Sequence, residues 1–260
     1  MLFDMRQLKE EERAEREAWF KMQLEEADRQ RAQRLSDWQQ GFNAGYVLGW
    51  HNAMQEKDRQ YWHAEGIPDW AIEQYQLGYC DKRSWRGEGG RTFESPAYVI
   101  PIREPVAGEL VNIQYRLLHV PKPSDGKYRQ ENGLAAAAFY AEIGRLDGPC
   151  LVVEGAKKAI VMYDLLEKSR QLVGMPSQMP DEKRILALAG YSGVWLALDR
   201  DLGNGERSGY AKAVQRYAKL LPGVPVREIS LPDKPDDMVV KYGMDRAGFL
   251  AAVHQARRVN

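Results

Sequence analysis

The apolar run Val194-Trp-Leu-Ala-Leu ends in Asp199-Arg200-Asp201 and then in the turn-like Leu-Gly-Asn-Gly. Side chains alternate along extended backbone, so Asp199 and Asp201 emerge on the same side. Two carboxylates about 4 Å apart repel by ~1 kcal/mol in water and by ~4 kcal/mol at an effective dielectric near 20. A divalent cation removes that conflict, and hard carboxylate oxygens favour magnesium or manganese. Asp-Arg-Asp alone is also what helix caps and turns use. The repetition elsewhere points to the metal: Glu154 ends the apolar run Cys150-Leu-Val-Val, and Asp233-Lys-Pro-Asp236-Asp237 follows another.

The elements that must hold these acids are legible in the same region. Short apolar runs at 150–154, 171–176, 194–199 and 224–232 alternate with helical patterns at 156–169, 181–190 and 206–221. In the first of these helices Ala159, Met162, Tyr163 and Leu166 share a side. Strand–helix alternation predicts an α/β fold, a parallel sheet with helices on both faces. Ligands of such sheets sit outside the carboxyl ends of the strands, and Glu154 and Asp199 both fall there.

Upstream, residues 61–80 read as helix, turn and helix, with Pro68 suited to a helix start and Gly78 to a helix end. Residues 97–120, rich in Val, Ile and Tyr, read as two strands about a Gly108 turn. A loop follows that carries Lys122, Lys127 and Arg129. Residues 1–60 are helix-rich, with opposite charges at i,i+4 spacing such as Glu12–Arg16 and Glu25–Arg29. Within them Leu35, Trp38, Phe42 and Tyr46 share a helical face, and Gly41, Gly45 and Gly49 form a strip suited to close packing.

Composition limits the function classes. With 37 basic and 37 acidic residues, nucleic-acid binding must rest on a local basic surface rather than on a global field. No run is long and apolar enough to span a membrane, and the start Met-Leu-Phe-Asp-Met-Arg-Gln-Leu-Lys-Glu is unlike a signal peptide. The two cysteines, Cys80 and Cys150, form neither a disulfide framework nor, alone, a zinc site. A cytoplasmic protein that contacts no membrane is expected.

The segment Leu151-Val-Val-Glu-Gly-Ala-Lys-Lys, followed by Val194-Trp-Leu-Ala-Leu-Asp-Arg-Asp, resembles the TOPRIM domain over residues 149–245. Its signature is Glu-Gly after the first strand and Asp-x-Asp after the third. Upstream, Leu77-Gly-Tyr, Pro101-Ile-Arg, Lys127-Tyr-Arg and Phe139-Tyr resemble, in order, the polymerase subdomain that precedes TOPRIM in bacterial and phage primases. The resemblance implies a helical extension at 1–60, a small α+β primase subdomain at 61–148, TOPRIM at 149–245 and a C-terminal helix at 246–260. It implies a DNA primase-type nucleotidyltransferase that makes short RNA primers on a single-stranded DNA template from ribonucleoside triphosphates. By the match, Asp199, Asp201 and Asp236 resemble metal ligands, with Glu154 as ligand or general base. Two ions ~3.5–4 Å apart would stabilise the attacking and leaving oxygens. Arg116, Lys127 and Arg129 resemble the residues that hold nucleotide or template phosphates, with Arg103 a weaker match. Tyr98, Tyr115 and Tyr128 are stacking candidates, although sheet packing suits most of them better.

The chain departs from the family at three points. Lys158 stands where the primase pattern has an acid four residues after the Glu, and could bind a phosphate or replace a metal. Lys234 stands at the first acid of the Asp-Pro-Asp motif, leaving Asp236 at the second. No Cys/His set ahead of Tyr61 offers a zinc ribbon, so no zinc is expected in this chain, and a replicative helicase or a separate zinc-ribbon protein becomes an expected partner. The rival expectations are a TOPRIM nuclease, and a non-catalytic nucleic-acid-binding or helicase-docking protein.

Overall fold

A computed structural model describes residues 2–41, 44–144, 147–200 and 207–260; side chains are described from residue 17 onward within these, except at 20, 41, 44, 207 and 208. The chain divides into two compact units, one of residues 1–43 with 132–135 and a second of the remainder. The first unit contains helix α1 (Leu2–Gly41), 40 residues and about 60 Å long at 1.5 Å per residue. Its surface carries the expected charge pairing, with one change of partner. Arg29 meets Glu26 at 3.1 Å rather than Glu25, and Arg31 meets Asp28 at 3.1 Å. The Glu12–Arg16 pair and Phe42 lie outside what is described.

The second unit opens with three helices, α2 (Ala44–Asn52), α3 (Glu56–Ala64) and α4 (Asp69–Gln74). Strands β1 (Gly78–Arg86), β2 (Thr92–Arg103), β3 (Leu110–Leu117) and β4 (Tyr128–Gln130) then form an antiparallel sheet in that order. Two details differ from the sequence expectations. Tyr46 is exposed while Val47 and His51 are the buried described residues of α2, and an added Cβ on Gly49 would meet nothing within 4 Å. The close approach is made instead by Gly78, where a Cβ would come within 3.0 Å of Trp50 Cβ and 3.1 Å of the His51 nitrogen. Gly78 therefore begins a strand rather than ending a helix, and the left-handed residue after α4 is Gln76 (φ 51°).

The chain continues through β5 (Phe139–Tyr140), β6 (Pro149–Glu154), α5 (Ala156–Leu165), β7 (Gln171–Met175), α6 (Glu182–Leu186), β8 (Gly193–Leu196), α7 (Arg207–Leu220), β9 (Val226–Glu228), α8 (Pro235–Val240), α9 (Arg246–His254) and β10 (Arg257–Arg258). These build a six-stranded sheet ordered β10-β9-β8-β6-β7-β5. The four central strands are parallel, and the edge strands β5 and β10 run antiparallel. Phe139–Tyr140 and Arg257–Arg258 thus join this sheet from outside the 149–245 span.

Alternation in β6 divides the core. Leu151 and Val153 face the side holding α5, α9 and the upstream helices α3 and α4, while Cys150 and Val152 face α6 and α7. The central strands β6 and β7 are buried on both faces because each face is covered by helices. Tyr98 and Ile100 of β2 also enter the first cluster, so the two sheets share one core. Tyr61 of α3 stacks on Tyr98 with ring centroids 3.6 Å apart. On the other face of the first sheet Tyr115 is fully buried against Trp50 and Trp85.

Candidate active site

Glu154 is the last residue of β6, and Gly155 after it adopts φ 85° and opens α5. That left-handed conformation suits glycine. The turn is pinned from two sides. A Cβ on Gly174 of β7 would lie 2.5 Å from the Gly155 carbonyl oxygen, and the Ala156 amide donates to Gln114 Oε1 at 3.3 Å. Gln114 and Arg116 project from the same face of β3, opposite to buried Ile113, Tyr115 and Leu117. The first sheet therefore meets the carboxyl edge of the second at this turn.

A cleft of about 620 Å³ opens there. Glu154, Lys157, Lys158, Lys234 and Asp236 line one side, and Arg116, Lys127, Tyr128 and Arg129 line the other. Arg116 sits with its guanidinium carbon 5.1 Å from the Tyr61 ring centroid and its Nη2 3.9 Å from Glu65 Oε1. Burial works against its charge, but the neighbouring Tyr61, Tyr128 and Glu65 hold its pKa above the ordinary value. Arg129 donates to the carbonyls of Asp125 and Arg86, fixing the loop before β4. Tyr128 remains exposed, whereas Tyr98 and Tyr115 are core residues. Arg103 is placed apart from this lining: it donates to Gln76 Oε1 and to the Gly108 carbonyl, bracing the β2–β3 turn.

The acids are buried and ion-paired. Asp199 is 6% exposed and Asp236 4%. Lys158 Nζ lies 2.9 Å from Asp199 Oδ2 and donates to the Glu154 carbonyl at 3.1 Å. Lys234 Nζ approaches the same Asp199 oxygen at 3.9 Å. Lys157 Nζ lies 2.7 Å from Asp236 Oδ2 and also bonds Glu65. Burial raises the Asp199 pKa, and the two lysines beside it only partly offset that; for Asp236 burial acts the same way, but Lys157 and Lys158 outweigh it and hold its pKa below the ordinary value. Lys158 is held above its ordinary value because Asp199 and Asp236 outweigh its desolvation.

The neighbouring Arg200 turns the other way. It donates to Glu228 Oε1 at 2.9 Å, and Arg257 of β10 holds the second oxygen of Glu228 at 2.6 Å. Arg200 thus explains the middle residue of Asp-Arg-Asp: it anchors the end of the β8 segment while Asp199 faces the lysines. Asp201 lies outside the described residues.

Among the described residues no three acids, histidines or cysteines are grouped closely enough to hold a metal ion. Asp199 Oδ1 and Asp236 Oδ1 are nevertheless buried without a hydrogen-bond partner. Such orphaned anionic oxygens fit a hard cation. The donor chemistry suits one ion, because a lysine already holds the other oxygen of each carboxylate. Glu65 and Lys157 were not singled out in the sequence. Lys157 had a signal in its place next to Lys158; Glu65 had none.

No family model matches this chain, and no curated protein matches it in sequence. Solved structures do match. The zinc-binding and RNA polymerase domains of the Aquifex aeolicus primase align with TM-score 0.62 at 17% identity, over 83% of this chain and 60% of that one. A DnaG primase catalytic domain bound to ssDNA aligns with TM-score 0.61 at 19% identity, over 82% and 77%. The primase fragment of the bacteriophage T7 primase-helicase protein aligns with TM-score 0.54 at 19% identity, over 74% and 72%. The chain spans 60% of the Aquifex primase chain. Its fold is that of bacterial and phage primase catalytic cores.

Proposed function

We propose that this chain is a primase-type nucleotidyltransferase that joins ribonucleotides on single-stranded DNA. The observation that carries the proposal is the convergence, in one cleft of a primase-core fold, of Glu154 and Asp236 with Arg116, Lys127 and Tyr128 on the facing wall. Cations on that wall suit the phosphates of template and nucleotide, and exposed Tyr128 is placed to stack on a base. Glu154, at the mouth of the β6–α5 turn, is assigned the proton of the attacking hydroxyl.

Asp199 and Asp236, through their unpartnered oxygens, and Asp201 by its match to the motif, would hold magnesium or manganese. When bound, the ion supplies Lewis-acid stabilisation of charge on the phosphoryl oxygens. Arg116 and Lys127 orient the phosphates, and Lys158 keeps Asp199 in place.

One of the matching structures is a primase catalytic domain bound to ssDNA, and another is a fragment of a primase-helicase protein. We extend both to this chain as proposals: a single-stranded template, and a helicase or zinc-ribbon protein as partner. No helix among the described residues is long and apolar enough to cross a membrane, and the free, buried thiols of Cys80 and Cys150 suit the reducing cytoplasm to which we assign the protein.

The lysine pairing of Asp199 and Asp236 favours one second reading, a nucleic-acid-binding protein whose chemistry has been lost. Incubation with single-stranded DNA, labelled ribonucleotides and magnesium separates the two. Short products that vanish in Glu154→Ala support the primase. Template degradation assigns a nuclease, and inert but DNA-bound protein assigns the second reading.

A further inference from the structure

Lys157 and Lys158 occupy the first turn of α5, where the helix dipole disfavours cations. A local rule broken at a buried position points to a functional demand. Lys157 is accounted for by its bridge between Glu65 and Asp236. Lys158 is different. Its side chain is 15% exposed, it lines the cleft, and two of its three N–H donors go to Asp199 and to the Glu154 carbonyl. Asp199 is not among the described lining residues, so the cleft meets the Lys158 ammonium instead of the carboxylate behind it. Lys234 adds a second ammonium directed at the same Asp199 oxygen, with its side chain 43% exposed.

Two ammonium groups carry the charge of one divalent ion. Magnesium needs its oxygen ligands at about 2.0–2.1 Å, so an ion at Asp199 Oδ2 competes with the Lys158 ammonium already held there at 2.9 Å. The surrounding charge also favours an anion. The described lining of the cleft holds seven Lys and Arg against four Asp and Glu, and including Asp199 leaves a positive surplus.

We propose that Lys158 and Lys234 are built-in cations that replace one divalent ion, so that this cleft grips the polyphosphate of its nucleotide directly, without a metal bridge at Asp199 Oδ2. The inference rests on the assignment of the cleft to nucleotide phosphates. Lys158 supplies its third N–H to the ligand, and half-exposed Lys234 swings from Asp199 to close over it.

Calorimetric titration of the full chain with inorganic tripolyphosphate, in EDTA and then in magnesium, tests this. Wild type is expected to bind in EDTA with little change on adding magnesium. Lys158→Met combined with Lys234→Met is expected to bind about tenfold more weakly or worse in EDTA, the worth of at least one charge-assisted hydrogen bond. Wild-type binding that disappears in EDTA and returns with magnesium overturns the inference and leaves the phosphate assignment standing. No binding in either condition removes the assignment and the inference together. A second measurement does not depend on the methionine variants folding: manganese uptake followed by electron paramagnetic resonance. Lys158→Asp with Lys234→Asp is expected to hold one more ion per chain than wild type, and equal uptake overturns the proposal.

Discussion

Lys158 Nζ sits 2.9 Å from Asp199 Oδ2, and both side chains are almost entirely removed from solvent. A buried pair of this kind is worth little over an apolar pair of the same shape, but removing one partner strands a charge. Asp199→Asn alone therefore mixes lost chemistry with lost stability. The double variant Asp199→Asn, Lys158→Met is expected to stay folded by circular dichroism, whereas Asp199→Asn alone melts measurably lower. On the proposed function both variants make no primers, and full primer synthesis by either would sink the role of Asp199.

Lys157 bridges Glu65 and Asp236 in the wall of the cleft. Lys157→Met leaves a carboxylate that is 4% exposed without its main counter-charge, a loss expected to cost about 3 kcal/mol in urea unfolding at neutral pH. A change below about 0.5 kcal/mol would show that the bridge is dispensable.

Gly174 is read from a single close contact. A Cβ there would lie 2.5 Å from the Gly155 carbonyl oxygen and 3.0 Å from Ala156 Cα, and neither backbone atom can rotate away. Gly174→Ala is expected to destabilise by about 1–3 kcal/mol and to displace the β6–α5 turn, lowering primer synthesis beyond the loss of folded protein. Unchanged activity per folded molecule would refute the displacement.

Tyr128 and Arg116 differ in what they offer DNA. Tyr128→Ala is expected to weaken single-strand binding by about 1–3 kcal/mol through lost stacking, with the salt dependence unchanged. Arg116→Ala is expected to reduce the salt slope by about one phosphate contact. Fluorescence anisotropy across a salt series distinguishes the two, and identical slopes would remove Arg116 from the phosphate surface.

Glu228 gives the pH dependence. Burial raises its pKa, but the hydrogen bonds and charges of Arg257 and Arg200 override that and hold it below the ordinary value. A carboxyl depressed on folding contributes stability above its unfolded pKa of about 4.3 and loses that contribution as pH falls through the folded value. Glu228→Gln is accordingly expected to lower stability at pH 7 and to flatten its decline between pH 5 and 3. An acid limb as steep as that of wild type would show that other groups dominate.

The local pattern of the chain determined much of this. Short continuous apolar runs and strand–helix alternation from residue 150 onward specified a parallel sheet, because strands apolar on both sides need cover on both faces. Glu-Gly placed Glu154 at a strand end, because a left-handed glycine is a local feature, whereas β8 stops at Leu196 and Asp199 follows three residues beyond it. Pairing across distance was not legible. Phe139–Tyr140 and Arg257–Arg258 complete the second sheet as edge strands, and two-residue strands carry no periodicity to read. Arg103 and Arg116 look alike in sequence, yet Arg103 braces a turn while Arg116 lines the cleft, since the face of a strand acquires meaning only once its sheet is packed. Most of all, the partners of the acids came from the tertiary structure. Glu65, Lys157, Lys158 and Lys234 are brought to Asp199 and Asp236 by the meeting of three helices and a strand end, and the charge balance of the cleft is a sum over neighbours that no single segment contains.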